Sequence, residues 1–251
     1  GDSVFAALTS GTQNIAIGVN AMSGATTAVC ERNTIVGQFG ADTITTGAYN
    51  VGIGYSVFTN ATTATSNVAV GYFSCAEGVM TGSGNAALGM TSLRSITSGT
   101  DNVAIGTESL RSLTTGANNV SIGTNALYSY TGSKNTAVGF EAGKSINSDG
   151  DNVFVGYNAG KLRTGGIDNT AVGSFSQYGG TSGSTPSGCC NSSFGFATLH
   201  NISTGVQNTA IGRQAGYSIT TTDNNTLVGH NVGIFGTGSL NTIVGAQAGS
   251  K

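Results

Sequence analysis

The stretch Asn102-Val103-Ala104-Ile105-Gly106 decides the fold of this 251-residue chain, because variants of it recur fourteen times along the sequence. Every copy has Asn in the first place, an apolar residue in the fourth and Gly in the fifth. Successive copies begin 16 to 22 residues apart, and most often 17. Their first residues are Asn14, Asn33, Asn50, Asn67, Asn85, Asn102, Asn119, Asn135, Asn152, Asn169, Asn191, Asn208, Asn225 and Asn241. A fixed short period of this kind is typical of a solenoid or an array of repeats.

The composition of the repeat favours β-structure over helix. A unit of this size is too small to bury a core of its own, so the units must stack and share one. Gly accounts for 41 residues, and Thr and Ser fill much of the rest; all three are poor in helix interiors. Val, Ile and Thr favour extended chain. The sequence therefore predicts an all-β fold, a parallel β-solenoid (β-roll) of 14 rungs that forms a single elongated domain over residues 1–251.

Each period contains two segments when its Asn is numbered position 0. Alternation along an extended segment places positions 1 and 3 on one face and positions 2 and 4 on the other. Position 2 is usually small, which indicates that another part of the chain packs closely against that face. A second segment has apolar residues at positions 8 and 11, such as Leu110 and Leu113, and a Thr-Thr-Gly turn follows them. We therefore predict two short extended pieces and two corners in each rung.

The repeated Asn and Gly both have structural explanations. Stacked Asn side chains can hydrogen-bond from rung to rung as a ladder. Gly supplies a corner conformation that is closed to other residues, or permits a close backbone approach. The predicted ladder includes Asn102, Asn119, Asn135 and Asn152, with Gly106, Gly123, Gly139 and Gly156 at the corners. We interpret both as scaffold, because a binding site does not need fourteen copies.

The chain carries little charge. Charged residues make up 8% of it, and the net charge is −2. Nucleic-acid binding needs a basic stripe, so the composition argues against a nucleic-acid partner. No apolar stretch approaches the ~18 residues of a membrane span. His200 and His230 lack a carboxylate or Cys placed to orient them, and we find no catalytic triad, zinc spacing or phosphate loop. We therefore expect neither an enzyme nor a metal or cofactor site.

The chain has four cysteines, Cys30, Cys75, Cys189 and Cys190. In a stacked solenoid, Cys30 and Cys75 lie about three rungs, or ~14 Å, apart, which exceeds the ~7 Å Cα separation that a disulfide allows. Three alternatives remain: free buried thiols, a vicinal disulfide between Cys189 and Cys190, and disulfides between chains.

Two lines of large side chains stand out from this small-residue background. Position 9 of eight consecutive rungs, the position-9 stripe, holds Arg94, Arg111, Tyr128, Lys144, Lys161, Tyr178, His200 and Tyr217. Position 5 holds a second, interrupted set, the position-5 line, which comprises Tyr55, Tyr72, Phe140, Tyr157 and Phe196. Both lines are candidates for contacts between subunits, where aromatic residues and Arg are favoured. The alternatives are solvated corners and recognition of a glycan or an acidic surface.

One long rung and the two chain ends interrupt the pattern. The rung that begins at Asn169 inserts residues 181–190, and insertions in solenoids map to loops on one face that often make the specific contact. Gly1 falls at position 4 of a rung and Lys251 at position 10, with no capping repeat beside either. Solenoids normally need caps. We therefore expect either a piece of a longer protein or ends that pair with other subunits.

Some copies resemble repeats of known fibrous proteins. Asn102–Gly106, Asn135–Gly139 and Asn208–Gly212 resemble repeats in the heads of trimeric autotransporter adhesins, and also arrays in phage and viral tail-fibre proteins. The resemblance implies a left-handed parallel β-roll, often trimeric, in fibres that project from a surface. The period of this chain is longer than that of the adhesins, and an end-to-end filament of single chains would use the same rung.

These observations favour a non-enzymatic structural subunit of an extracellular or virion fibre. Such a subunit is a homo-oligomer or filament, assembled end to end or laterally, at the cell surface or on the virion. The alternative is an adhesin or receptor-binding fibre that recognises surface glycans. A third hypothesis is an ice-binding protein, because Thr recurs in register at Thr45, Thr62, Thr97, Thr114 and Thr220.

Overall fold

The structure, a computed structural model, describes residues 4, 11–24, 29–147, 150–179, 186–234 and 238–249. The chain divides into two compact units, Gly1–Asn125 and Ala126–Lys251, and in each the strands stack as a parallel β-solenoid. The all-β class, the parallel solenoid and the period of about 17 residues are thus confirmed. Left-handed coiling and a single domain stay predictions. Within the described ranges, no helix is long and apolar enough to cross a membrane.

The first unit contains seven described strands, one at positions 1–3 of each rung. They are β1 (Ile15–Ile17), β2 (Thr34–Val36), β3 (Val51–Ile53), β4 (Val68–Val70), β5 (Ala86–Leu88), β6 (Val103–Ile105) and β7 (Val120–Ile122). Each strand pairs in parallel with the next, and equivalent positions are partners, as Val103 is of Val120. The sequence repeat therefore sets the register directly.

The second unit repeats this arrangement. Its described strands are β8 (Thr136–Val138), β9 (Val153–Val155), β10 (Thr170–Val172), β11 (Ser192–Phe194), β12 (Thr209–Ile211), β13 (Thr226–Val228) and β14 (Thr242–Val244). Parallel pairing again joins equivalent positions, even across the long rung, where Thr170 pairs with Ser192. The insertion therefore leaves the strand register unchanged.

The core of each rung lies between the strand and the segment that follows it. In the rung of β6, the buried side chains are those of Ala104 at position 2 and of Leu110 and Leu113 at positions 8 and 11, all with 0% exposure. A comparable cluster in the second unit includes Leu199, Ile202, Ala210, Ala215, Ile219, Leu227 and Val232. Because the two sides approach closely, position 2 admits mainly small side chains.

The second extended piece that we predicted in each rung is wrong, because the residues after the strand form turns. In the rung of β6, Glu108 has a φ of 58° and Leu110 a φ of 49°, both in the left-handed region. Two left-handed residues this close together break an extended run and wrap the chain around the narrow core. A third left-handed residue, such as Asp101 with a φ of 57°, precedes each strand and its motif Asn.

The motif Asn residues form a buried ladder within each unit. In the first unit, Asn102 Oδ1 accepts hydrogen bonds from Asn119 N at 3.1 Å and from Asn119 Nδ2 at 2.9 Å. Asn102 Nδ2 donates to Asn85 Oδ1 and to Gly116 O, both at 2.9 Å. In the second unit, Asn152 N and Nδ2 donate to Asn135 Oδ1 at 3.1 Å. Each Asn thus joins its rung to the preceding rung and closes its own corner.

The motif Gly residues stack directly on one another. Gly106 has a φ of 126°, and a Cβ added to it would lie 2.7 Å from the carbonyl carbon and oxygen of Gly123. Gly123 and Gly139 have φ values of 134° and 138°. Gly156 has a φ of 136°, and an added Cβ would lie 2.6 Å from the carbonyl carbon of Gly173. These positions require Gly both for backbone conformation and for space.

Candidate functional site

An uncharged sheet face is exposed on each unit; it is mostly apolar in the first unit, and in the second it has Thr or Ser at the first position of six strands. The strands turn their first and third residues outward, and we call these two columns the outward sheet face. Among the third residues, Ile53 is 44% exposed, Leu88 49% and Ile105 37%. No residue of either column is charged in β1–β7 or in β8–β14. With strands ~4.8 Å apart, seven of them offer an uncharged strip roughly 29 Å long.

Sequence reasoning placed positions 1 and 3 on one face but did not recognise that this face points to solvent. The available signal was the small residue at position 2. Where Ala69 or Ala104 occupies the interior, the bulky apolar residues on both sides of it must point outward. Contiguous exposed apolar surface on this scale marks interaction sites in soluble proteins.

The position-9 stripe of the first unit consists of ion-paired arginines. Arg94 pairs with Glu77 of the preceding rung, and its guanidinium lies 5.9 Å from the ring centroid of Phe73. Arg111 Nε lies 3.7 Å from Glu108 Oε1 within its own rung. These cations are half-buried and already paired with carboxylates.

In the second unit, the stripe lysines share one carboxylate. Glu141 pairs with Lys144 and, at 2.5 Å, with Lys161 of the next rung. Burial raises the pKa of Glu141, but hydrogen bonds and attraction from the two lysines outweigh it and hold the pKa below its ordinary value. The hydrogen bond to Glu141 raises the pKa of Lys161. Tyr128 completes this part of the stripe, and its ring centroid lies 6.0 Å from Lys144 Nζ.

Farther along the second unit, the stripe becomes an aromatic stack. The rings of Tyr178 and His200 are parallel within 12° at 5.1 Å, and those of His200 and Tyr217 within 15° at 4.8 Å. The position-5 line forms two exposed stacks, Tyr55 on Tyr72 and Phe140 on Tyr157, each at 5.3 Å. The structure therefore stacks neighbouring aromatic members of the position-5 line in both units and of the position-9 stripe in the second unit.

The aromatic stack borders a groove of about 280 Å³. Its lining residues are Phe175, Phe196, Ala197, His200, Gln214 and Tyr217. Sequence analysis identified three of them through the position-9 stripe and the position-5 line. It missed Phe175, whose position 6 shows no sequence pattern, although its ring lies 6.0 Å from that of Phe196.

A buried arginine also escaped sequence analysis. Arg163 occupies position 11, where seven other rungs have Leu, Ile or Tyr, and it is fully buried. Its Nη2 donates to the carbonyl of Gly188 in the following long rung, and to that of Gly165 at 3.4 Å. Arg163 thereby ties its own rung to the end of the long rung. Residues 181–185 of the inserted loop lie outside the described residues, as do Gly1 and Lys251.

Two of the corner threonines that prompted the ice-binding hypothesis use their hydroxyls internally. Thr45 Oγ1 donates to Thr62 O, and Thr97 Oγ1 donates to Thr114 O, both at 2.9 Å. These hydroxyl groups therefore link neighbouring rungs.

The four cysteines are free thiols in two different environments. Cys30 and Cys75 are buried, and burial raises the pKa of both, that of Cys75 to about 12. The Cys190 thiol donates to Cys189 Sγ at 3.1 Å. That hydrogen bond, followed by burial and by the nearby charge of Asp168, raises the pKa of Cys190 to about 11. A disulfide between chains stays a prediction.

This difference predicts selective thiol chemistry. An aromatic disulfide reagent is expected to modify Cys189 and Cys190 in the native protein, and Cys30 and Cys75 only after unfolding, because buried thiols are inaccessible and protonated. The native reaction should speed up as pH rises toward the pKa of Cys190, since the thiolate is the nucleophile. Thiol counting with and without denaturant measures this, with single Cys→Ser variants to assign each thiol. Four thiols that react at one rate in the native protein would contradict the structure.

Among the described residues, no three His, Cys, Asp or Glu side chains lie together as a metal-binding group. His230, the second histidine, is exposed with its Nε2 3.3 Å from Arg213 Nη1. The site features of this chain are therefore surfaces: the outward sheet face of each unit and the aromatic groove of the second. No protein-family model matches the sequence, and neither a curated protein nor a solved structure shows significant similarity to it.

Proposed function

We propose that this chain is a non-enzymatic structural subunit of an extracellular or virion fibre, and that copies of it associate through the outward sheet face. The supporting observation is the run of exposed Val, Ile and Thr side chains on successive strands with no charge among them. End-to-end stacking of rungs is a second route of assembly that the repeat allows.

Leaving the outward sheet face in contact with water has a free-energy cost. Burying apolar surface contributes ~25 cal/mol per Å², and β-branched side chains lose little conformational freedom when they pack. Uncharged side chains recur at the first and third positions of every strand. The side chains that two copies present to each other are therefore spaced alike. Two or three copies packed face to face would cover the columns and leave the Glu, Lys and Arg side chains of the corners in solvent.

Charge placed on this face is expected to disrupt the assembly. The variant Ile105→Glu/Ile122→Glu alters position 3 in two adjacent rungs, and it should weaken association more than about a hundredfold, because like charges facing each other across an interface cost several kcal/mol. The measurement is sedimentation velocity over a range of concentrations, with circular dichroism to check the fold.

A matched control variant distinguishes the effect of charge on the outward sheet face from the effect of added charge elsewhere on the surface. Ser98→Glu/Thr115→Glu adds the same charge at position 13 of two adjacent rungs, where both side chains are exposed. It should associate like the wild type. Equal weakening by the two double variants, or a face variant that associates normally, would contradict assembly through the outward sheet face.

The groove of the second unit favours a second function, recognition of surface glycans. It combines stacked aromatic rings with polar side-chain groups, which is the chemistry of a saccharide site. This function is compatible with a fibre subunit and does not depend on how the copies assemble.

A further inference from the structure

We infer that the aromatic groove of the second unit binds one pyranose ring of a neutral glycan. The inference rests on the proposed recognition of glycans and not on fibre assembly. Three successive rungs form the groove: the first contributes Phe175, the second Phe196 and His200, and the third Gln214 and Tyr217. The strand register fixes the spacing of these side chains, so the groove is built into the rungs.

The apolar part of the groove consists of a row of stacked rings, which we call the platform, and an edge-to-face pair of phenylalanine rings beside it. His200 and Tyr217 stack at 4.8 Å and extend the platform that begins at Tyr178. Phe175 and Phe196 meet edge to face, 73° apart, beside it. The negative face of an aromatic ring attracts positively polarised C–H groups. A pyranose ring presents such C–H groups on its faces, and these pack against the aromatic ring faces that the stack and the edge-to-face pair leave uncovered.

The polar part of the groove offers hydrogen-bonding groups to hydroxyls. His200 Nδ1 lies 3.1 Å from Asn201 Oδ1, and His200 Nε2 bonds to no described residue. Gln214 Oε1 accepts from Arg213 Nη1 at 3.1 Å, and the amide NH₂ of Gln214 has no acceptor among the described residues. The Tyr217 hydroxyl likewise bonds to no described side chain. An amide donor, an imidazole nitrogen and a hydroxyl together suit sugar hydroxyls, which both donate and accept.

The charge of its lining and its volume further restrict the class of ligand that the groove can bind. No Asp, Glu, Lys or Arg lines the groove, and the nearby Arg213 is engaged with Gln214 and lies 5.6 Å from the ring centroid of Phe196. The groove therefore offers no group dedicated to a carboxylate or phosphate. Its volume of about 280 Å³ lies near the lower limit of small-molecule sites. A single neutral ring fits these limits better than a nucleotide or an extended acidic chain.

The binding test uses the whole chain. The probes are the methyl glycosides of glucose, galactose, mannose and N-acetylglucosamine, measured by saturation-transfer NMR, together with a glycan array. We expect at least one of these glycosides to bind, with a Kd of about 1 mM for a single ring. Tyr217→Ala should weaken binding more than about tenfold, because it removes one ring of the platform. Tyr217→Phe and Gln214→Ala keep the platform and should each weaken binding by about three- to tenfold through one lost hydrogen bond.

The control variant is Tyr157→Ala, which removes an exposed stacked tyrosine of the same unit that does not line the groove. Its binding should equal that of the wild type. If binding is lost in Tyr157→Ala and retained in the three groove variants, the chain recognises glycans elsewhere and the groove assignment is wrong. If the wild type binds no methyl glycoside and no array glycan, both the groove assignment and glycan recognition fail. Binding only to acidic glycans of the array would overturn the neutral-ring assignment.

Discussion

Replacing Asn102 with Ala is expected to destabilise the first unit by about 3–6 kcal/mol. The change removes Asn102 Oδ1 as an acceptor for the buried N and Nδ2 of Asn119, and it removes one donor each from Asn85 Oδ1 and Gly116 O. Each unsatisfied buried group costs about 1–3 kcal/mol, and partial relaxation recovers some of the sum. Urea unfolding measures the loss, and hydrogen exchange across residues 100–125 should show that it is centred on this rung, because solenoid stability is largely a sum over neighbouring rungs.

Two further variants sharpen this prediction. Asn118→Gly alters the exposed neighbour of the ladder, whose φ of 59° suits Gly, and it should change stability by less than about 0.5 kcal/mol.

Asn102→Asp keeps the acceptor but turns an oxygen toward Asn85 Oδ1 and Gly116 O, which raises the pKa of the new carboxyl above its unfolded value. A raised folded pKa favours the native state at low pH, so the deficit of this variant should shrink as pH falls from about 7 to about 4. A deficit that grows over that range, or an Asn102→Ala variant as stable as Asn118→Gly, would refute the ladder.

Replacing Gly156 with Ala is the second change with a large expected effect, about 3–5 kcal/mol in the second unit. The φ of 136° is one that Ala rarely adopts, and the new Cβ would lie 2.6 Å from the carbonyl carbon of Gly173. Backbone strain of this kind costs about 1–3 kcal/mol, and the overlap with backbone adds to it because the neighbouring rung cannot move aside. Thermal and denaturant unfolding measure the loss.

Gly245 separates the cost of backbone strain from the cost of steric overlap with the neighbouring rung. It has nearly the same φ, 133°, but a Cβ added to it would meet only Ala248 Cβ at 3.7 Å, an ordinary contact. Gly245→Ala should therefore cost only the strain, about 1–3 kcal/mol. Equal losses in the two variants would mean that the stacking of the motif glycines adds nothing to their conformational requirement.

The repeat made the strands and their register predictable, because equivalent positions of successive periods become partners. The turns of each rung were harder to predict, since residues such as Glu108 and Leu110 rarely adopt a positive φ and give no signal of it. One available signal was Gly at position 8 in five rungs of the second unit, at Gly143, Gly160, Gly216, Gly233 and Gly249, with φ values of 58–65°.

The candidate sites were only partly predictable, because they depend on contacts between rungs. The sequence identified the position-9 stripe, but not that its arginines and lysines are paired with Glu77, Glu108 and Glu141. It also identified Tyr178, His200 and Tyr217, but not Phe175 beside them. Side chains at positions 5, 6 and 9 of different rungs converge only after the turns fold, so their convergence leaves no mark on the sequence spacing.

Electron microscopy of the purified wild-type protein tests the proposed assembly most directly. The outward sheet face predicts discrete oligomers or fibres in which copies lie side by side, and these should dissociate in the Ile105→Glu/Ile122→Glu variant. Monodisperse single chains of the wild-type protein, at the highest concentration attainable, would contradict the proposal that this chain is a self-assembling fibre subunit.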